Sequence, residues 1–223
     1  MDSLSPLPEG PSQAWVRDYL KPRYPELVEP FLDALHIHAT AKTRGELEPS
    51  ELDRLLAHAT SSRSPLGENA AGLLGDLLQQ FTSVNGAIRE LAAGKHLRER
   101  LAALVALCSS PSTDLHVELY TLLLRDRSAR IRSLAADKIV GAGMVELASE
   151  LEAAANREKN EELRQELFNG KELLVQGFYV LHKESSVWVT CRGPGSSCVG
   201  KVFSLTEFES KGHEWITTQL SAL

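Results

Sequence analysis

Apolar residues recur at helical spacing along most of this chain. Trp15, Val16, Tyr19 and Leu20, then Leu27, Val28, Phe31, Leu32 and Leu35, fall on the i, i+3, i+4 pattern of an amphipathic helix. Pro22 and Pro25 lie between the two groups and predict a helical pair separated there, because proline removes a backbone donor. Ordered structure is expected to begin near Ser12, since Pro6, Pro8, Pro11 and Gly10 mark residues 1 to 11 as a flexible leader. The polar stretch 40 to 50 reads as an interruption. It is followed by a helix carrying Leu52, Leu55 and Leu56, with Ser50 as its expected cap.

The helices arrive at regular intervals. LRERLAALVAL (97 to 107), IRSLAADKIVG (131 to 141) and LRQELFNGKEL (163 to 173) align on an aliphatic residue followed by arginine. Their starts are separated by 34 and then 32 residues, and a fainter copy, LGENAAGLLGDLL, begins 31 residues earlier at Leu66. Between these anchors stand further apolar helices, LHVELYTLLL (115 to 124) and MVELASELEAAA (144 to 155). A single amphipathic hairpin cannot bury its apolar faces, whereas stacked hairpins share one core, so a period of this length predicts an α-solenoid.

LYTLLLRDRSARIRSLAADKIVGAG, residues 119 to 143, resembles a HEAT repeat. Its leucines close a first helix, Asp126 stands in the turn, and Ile131, Arg132 and the pair Ala135 and Ala136 open the second helix. The resemblance implies that Asp126 and Arg132 pair along the turn edge as part of a ladder fixing one repeat on the next. It covers residues 50 to 175, with one clear copy; the turn aspartate is absent before Leu97, and Asn156 is the nearest substitute before Leu163.

Downstream of Gly170 the period changes. GFYVLH (177 to 182), SVWVTC (186 to 191) and CVGKVF (198 to 203) are β-branched and aromatic, bounded by turn residues, and predict a three-stranded antiparallel meander. Ser204 and Glu207 form a capping-box pattern, and Phe208, Trp215, Ile216 and Leu220 give a terminal helix its apolar stripe. The expected architecture is mainly α: a HEAT-like solenoid over residues 12 to 176, then a β-β-β-α unit over 177 to 223. That unit is expected to cap the last hairpin at Leu173, Leu174 and Val175.

Charge alters this picture little. The chain carries 24 Lys+Arg against 30 Asp+Glu, a formal charge of -6, which opposes non-specific attraction to nucleic acid or anionic membranes. The start of the chain has no signal-peptide pattern and no stretch approaches a membrane span, so a cytoplasmic protein with no membrane contact is expected. Three cysteines, Cys108, Cys191 and Cys198, make no disulfide framework, although Cys191 and Cys198 flank one turn and a redox bridge between them is open.

Candidate chemistry is sparse. Gly195, Gly200 and Lys201 match all but the last position of the phosphate-loop pattern G-x-x-x-x-G-K-[ST]. The hydroxyl position is Val202, and the residues that follow continue a strand instead of opening a helix, so a hairpin turn is the better reading. His36 and His38 point about 200° apart on a helix and make a poor metal pair. The remaining histidines stand alone, so no catalytic residue, cofactor or metal is expected. Glu158, Glu161, Glu162 and Glu166, with Arg157, Lys159 and Arg164, read as a solvated helix face.

One cluster stands out: Arg125, Arg127, Arg130 and Arg132, interrupted by a single acid, Asp126. With Arg132 assigned to the ladder, Arg125, Arg127 and Arg130 are the expected anchors for an acidic or mixed-charge protein partner on the solenoid face. The expected function is a non-enzymatic interaction scaffold or a regulatory protein of the inhibitor or adaptor kind. The alternative follows from similarity to HEAT-like DNA glycosylases, which grip a duplex backbone along a concave surface lined with such side chains. Against it, residues 51 to 170 carry 14 basic and 17 acidic side chains, not the surplus a phosphate-tracking surface shows.

Overall fold

The computed structural model of the chain describes residues 14–110, 113–184, 186–192 and 198–220. The expected leader over 1 to 11 and the loop holding Gly195 lie outside the described residues. The protein is mainly helical with a C-terminal three-stranded antiparallel sheet. Two compact units divide between Leu115 and His116.

The first unit opens with a helical segment in which Val16–Leu20 winds as a π turn and Lys21 N–H bonds the Val16 carbonyl. This wider turn carries the helix through Pro22 to Arg23, so Pro22 does not separate two helices. The break falls at Tyr24 (φ −142°), where the following Pro25 disfavours helical backbone. Beyond it run α1 (Val28–Arg44), α2 (Pro49–Ala59), α3 (Ser64–Leu77), α4 (Thr82–Ala92) and α5 (Leu97–Cys108). Val16, Leu20, Leu27, Phe31 and Leu66 form one buried cluster with Trp15, Val28, Leu32 and Leu35 packed on it, largely the set the spacing picked out.

Two sequence expectations fail here. The polar residues 40 to 44 continue α1, which stops only at Gly45, whose left-handed φ of 74° costs a glycine nothing. The cap of α2 is Glu48, not Ser50. Glu48 and Glu51 form a reciprocal capping box, and Pro49 occupies the first helical turn, where its missing N–H is harmless. Further along, α3 packs closely on α5. A methyl group added at Gly75 would lie 2.1 Å from the Ala106 carbonyl oxygen, so the spacing of these two backbones depends on hydrogen at that position.

The second unit comprises α6 (Asp114–Leu123) from His116 onward, α7 (Ala129–Ala142), α8 (Ala148–Arg157) and α9 (Glu161–Gln176), followed by the sheet and α10 (Leu205–Leu220). Leu119, Leu123, Leu124, Ile131, Ile139, Leu151 and Leu167 are all but fully buried, filling the interior of these helices. Gly170 lets α9 come close to α7: a methyl there would stand 2.9 Å from Val140 Cγ2. Gly177, at φ 82°, ends α9 and releases the chain into the sheet.

Strands β1 (Phe178–Lys183), β2 (Ser186–Arg192) and β3 (Cys198–Ser204) form a meander in sequence order. Phe178, Val187, Val189, Cys191 and Phe203 make its buried face, covered by Leu205, Phe208 and Trp215 of α10. β1 and β2 also pack against α9, where Leu173 and Leu174 are buried while Val175 is 56% exposed. The side chains of Glu207, Ile216 and Leu220, which the capping box and the apolar stripe invoke, lie outside the described ones.

Candidate functional site

The arginine cluster lies on the turn joining α6 to α7. Asp126 shapes this turn by accepting the Ser128 N–H at 2.7 Å through Oδ1, an Asx turn that leads the chain into α7. Arg132, in the first turn of α7, donates Nη1 to the Asp126 main-chain carbonyl at 2.7 Å. Its other donors go elsewhere: Nε meets Glu158 Oε2 at 2.8 Å and Nη2 meets the same oxygen at 2.6 Å. Arg132 thus ties the α6–α7 turn to the turn after α8.

Glu158 corrects an expectation. It does not lie on a solvated helix face but caps the C-terminus of α8 in extended conformation, and its side chain is only 4% exposed. Its Oε1 accepts the main-chain N–H of Lys159 at 2.9 Å and of Asn160 at 3.0 Å, while Oε2 takes the guanidinium. Burial pushes its carboxyl pKa up, but the Asn160 N–H, the hydrogen bond and charge of Arg132 and the Lys159 N–H outweigh that and hold it below the ordinary value. The sequence held a signal for this residue. Asp126 stands five positions before Ile131, and Glu158 stands five before Leu163, so Glu158 and not Asn156 is the counterpart of the turn acid.

Around this pair opens a surface cleft of about 720 Å³ lined by Leu124, Arg125, Asp126, Arg132, Arg157, Glu158 and Lys159. Arg125, Arg157 and Lys159 are exposed at its edge. Arg125 makes a 3.1 Å ion pair with Glu150 of α8 while its side chain remains 55% exposed. The three expected anchors do not share one cavity. Arg130 instead borders a shallow groove between α7 and α9 with Ser133, Glu162 and Glu166, and Arg127 is exposed on the turn itself. The groove continues past Asp137, Asn169 and Gly170 to Tyr179. The turn edge is therefore basic, whereas the neighbouring helix face carries Asp137, Glu162 and Glu166.

Other sequence candidates resolve into structural roles. Gly200 and Lys201 sit within β3, opposite Thr190 and Val189, so the lysine of the phosphate-loop pattern lies in a strand and not at a helix N-terminus. In the same register Cys191 faces Val199 and Cys198 faces Arg192, so the two cysteines are not a cross-strand pair; Cys108 and Cys191 are thiols. In the first unit, His38 meets Asp76 at 2.7 Å beside Lys42, and His58 meets Asp33 at 2.9 Å beside Arg54. Hydrogen bonds from Lys42 and His38 hold the Asp76 carboxyl below its usual range. These contacts bind α1 to α3 and to α2. Among the described residues no group of three or more His, Cys, Asp or Glu is arranged to hold a metal, and no helix is long and apolar enough to cross a membrane.

No protein-family model, curated protein or solved structure matches the chain. The residues themselves carry the functional reading.

Proposed function

We propose that this protein is a non-enzymatic interaction module that binds an acidic or mixed-charge protein partner through the basic turn edge of its second unit. The observation that carries this reading is the gathering of Arg125, Arg157 and Lys159 around one cleft, on turns braced by the bond of half-buried Arg132 to buried Glu158. Arginine combines charge, hydrogen bonding and stacking in one contact, and braced turns present such side chains with little ordering cost. HEAT-like stacking of the helical hairpins, and a scaffold or regulatory role in the cytoplasm, belong to the same proposal. The stacking rests on the 32- to 34-residue spacing of the hairpins and on the bond from Arg132 to the next turn.

Duplex DNA fits this surface less well. A duplex presents a phosphate charge about every 1.7 Å of axis and needs a continuous basic track. Here Glu150 pairs with Arg125 of the cleft, and Glu162 and Glu166 line the groove beside Arg130.

The test is capture of partners from native lysate with and without nuclease, paired with a duplex gel shift at about 50 mM salt, where phosphate contacts are strongest. The proposal expects a nuclease-resistant protein partner and no shifted duplex. Duplex binding that falls steeply with salt, with a log–log slope of about 0.9 per phosphate contact, would overturn it.

A further inference from the structure

We infer that the cleft between the 124–126 and 157–159 turns is a docking site for a short acidic peptide segment, with Arg125, Arg157 and Lys159 as its carboxylate contacts and Glu150 as the internal competitor that the segment displaces. The inference rests on the interaction-module reading above and specifies which surface and which ligand chemistry it uses.

Three observations carry it. The lining residues hold four cations against two carboxylates, although residues 116 to 223 carry 13 basic against 15 acidic side chains, so the surplus is local to the cleft. Of those four cations only Arg132 is committed to the framework. It satisfies Glu158 on one side and the Asp126 carbonyl on the other. Glu158 in turn fixes the main chain at Lys159 and Asn160, so Arg157 and Lys159 project from a backbone pinned between them, while Arg125 projects from the turn at the far end of the same guanidinium. Arg132 and Glu158 are positioning residues that set the distance between the two sets of cations.

The third observation is the Arg125–Glu150 ion pair. At 3.1 Å, with side chains 55% and 30% exposed, it is a wet contact of the kind that contributes little to stability and exchanges readily for another carboxylate. The volume of about 720 Å³ exceeds what one small anion fills and suits a few residues of extended chain. The carboxylates nearby, Glu150 among them, favour a ligand whose charges are discrete and separated by neutral residues over one with an unbroken phosphate backbone.

The experiment titrates the full-length protein against a fluorescein-labelled peptide of alternating glutamate and serine, read by anisotropy at about 50 mM salt, where the screening length is still above 10 Å. Arg157→Glu with Lys159→Glu should weaken binding by about tenfold or more, and Glu150→Gln should tighten it by about threefold, since a competing charge is removed. Arg127→Glu with Arg130→Glu, outside the cleft, should change it by less than about twofold. Circular dichroism on each variant separates lost folding from lost binding. Absence of peptide binding, or binding that Arg157→Glu with Lys159→Glu leaves unchanged, would overturn the inference. So would preferential binding of a phosphoserine version of the peptide or of a labelled duplex. A nuclease-resistant partner still captured by Arg157→Glu with Lys159→Glu would remove the cleft while leaving the interaction-module reading in place.

Discussion

The turn between α4 and α5 and the turn between α6 and α7 are closed by the same bond but differ in the residue that stands before it. In each, an arginine in the first turn of the second helix donates Nη1 to a main-chain carbonyl six residues upstream: Arg100 to Gly94 at 2.8 Å, Arg132 to Asp126 at 2.7 Å. Arg100 also donates Nη1 to the Lys95 carbonyl at 3.0 Å. Arg132 reaches out to Glu158, the acid of the following turn. The difference lies in one position. Five residues before the aliphatic anchor stand Asp126 and Glu158 in the later turns but Ala92 in the earlier one, so the earlier turn has no carboxylate at that position to fix its own backbone as Asp126 fixes Ser128. The closing bond to the carbonyl six residues upstream thus forms with or without an acid at that position, whereas the tie from Arg132 to the following turn depends on Glu158.

The comparison breaks most sharply at Arg132. Arg132→Met leaves the nearly buried Glu158 without its cation, and urea denaturation should show a loss of about 3–5 kcal/mol. Adding Glu158→Met in the same chain should recover much of that loss, because removing both charges also removes the penalty of burying them. Arg100→Met strands two main-chain carbonyls, which should cost about 1–3 kcal/mol.

A pH series sharpens the same contrast. Glu158 has its carboxyl pKa depressed in the folded state, so its contribution is fully present above the unfolded value of about 4.3 and is lost as pH falls through the lower folded value. The stability gap between the unmodified chain and Glu158→Gln should therefore be constant near neutrality and shrink below about pH 4. A gap unchanged down to pH 3 would show that the ionised carboxylate is not what stabilises the turn. The smallest effect is expected at the exposed arginines. Arg125→Glu, Arg127→Glu and Arg130→Glu together should shift stability by no more than about 0.5 kcal/mol per site.

The helices and strands were legible because their periods are long and consistent. The leucine spacing that opens the chain and the alternation in 186 to 191 each correspond to an element the structure contains. Boundaries decided by one residue were not. Pro22 reads as a break until a π turn carries the helix through it, and Ser50 reads as a cap until the Glu48 and Glu51 box displaces it. The cleft was only half visible. Arg125 drew notice through its neighbours, but Arg157 and Lys159 are about thirty residues away and reach it only once α6 to α9 pack. Glu158 was hidden by composition: among so many charged neighbours its burial leaves no local mark, and only its offset from Leu163 gives it away.

The most direct test of a basic edge carried on a braced framework is capture from nuclease-treated native lysate by the unmodified chain and by the Arg125→Glu, Arg157→Glu, Lys159→Glu variant, with thermal unfolding measured on both. Matching unfolding midpoints, with a protein partner retained by the first and lost by the second, is the predicted result. A partner held equally by both, or one that disappears from the unmodified chain once nucleic acid is digested, would contradict it.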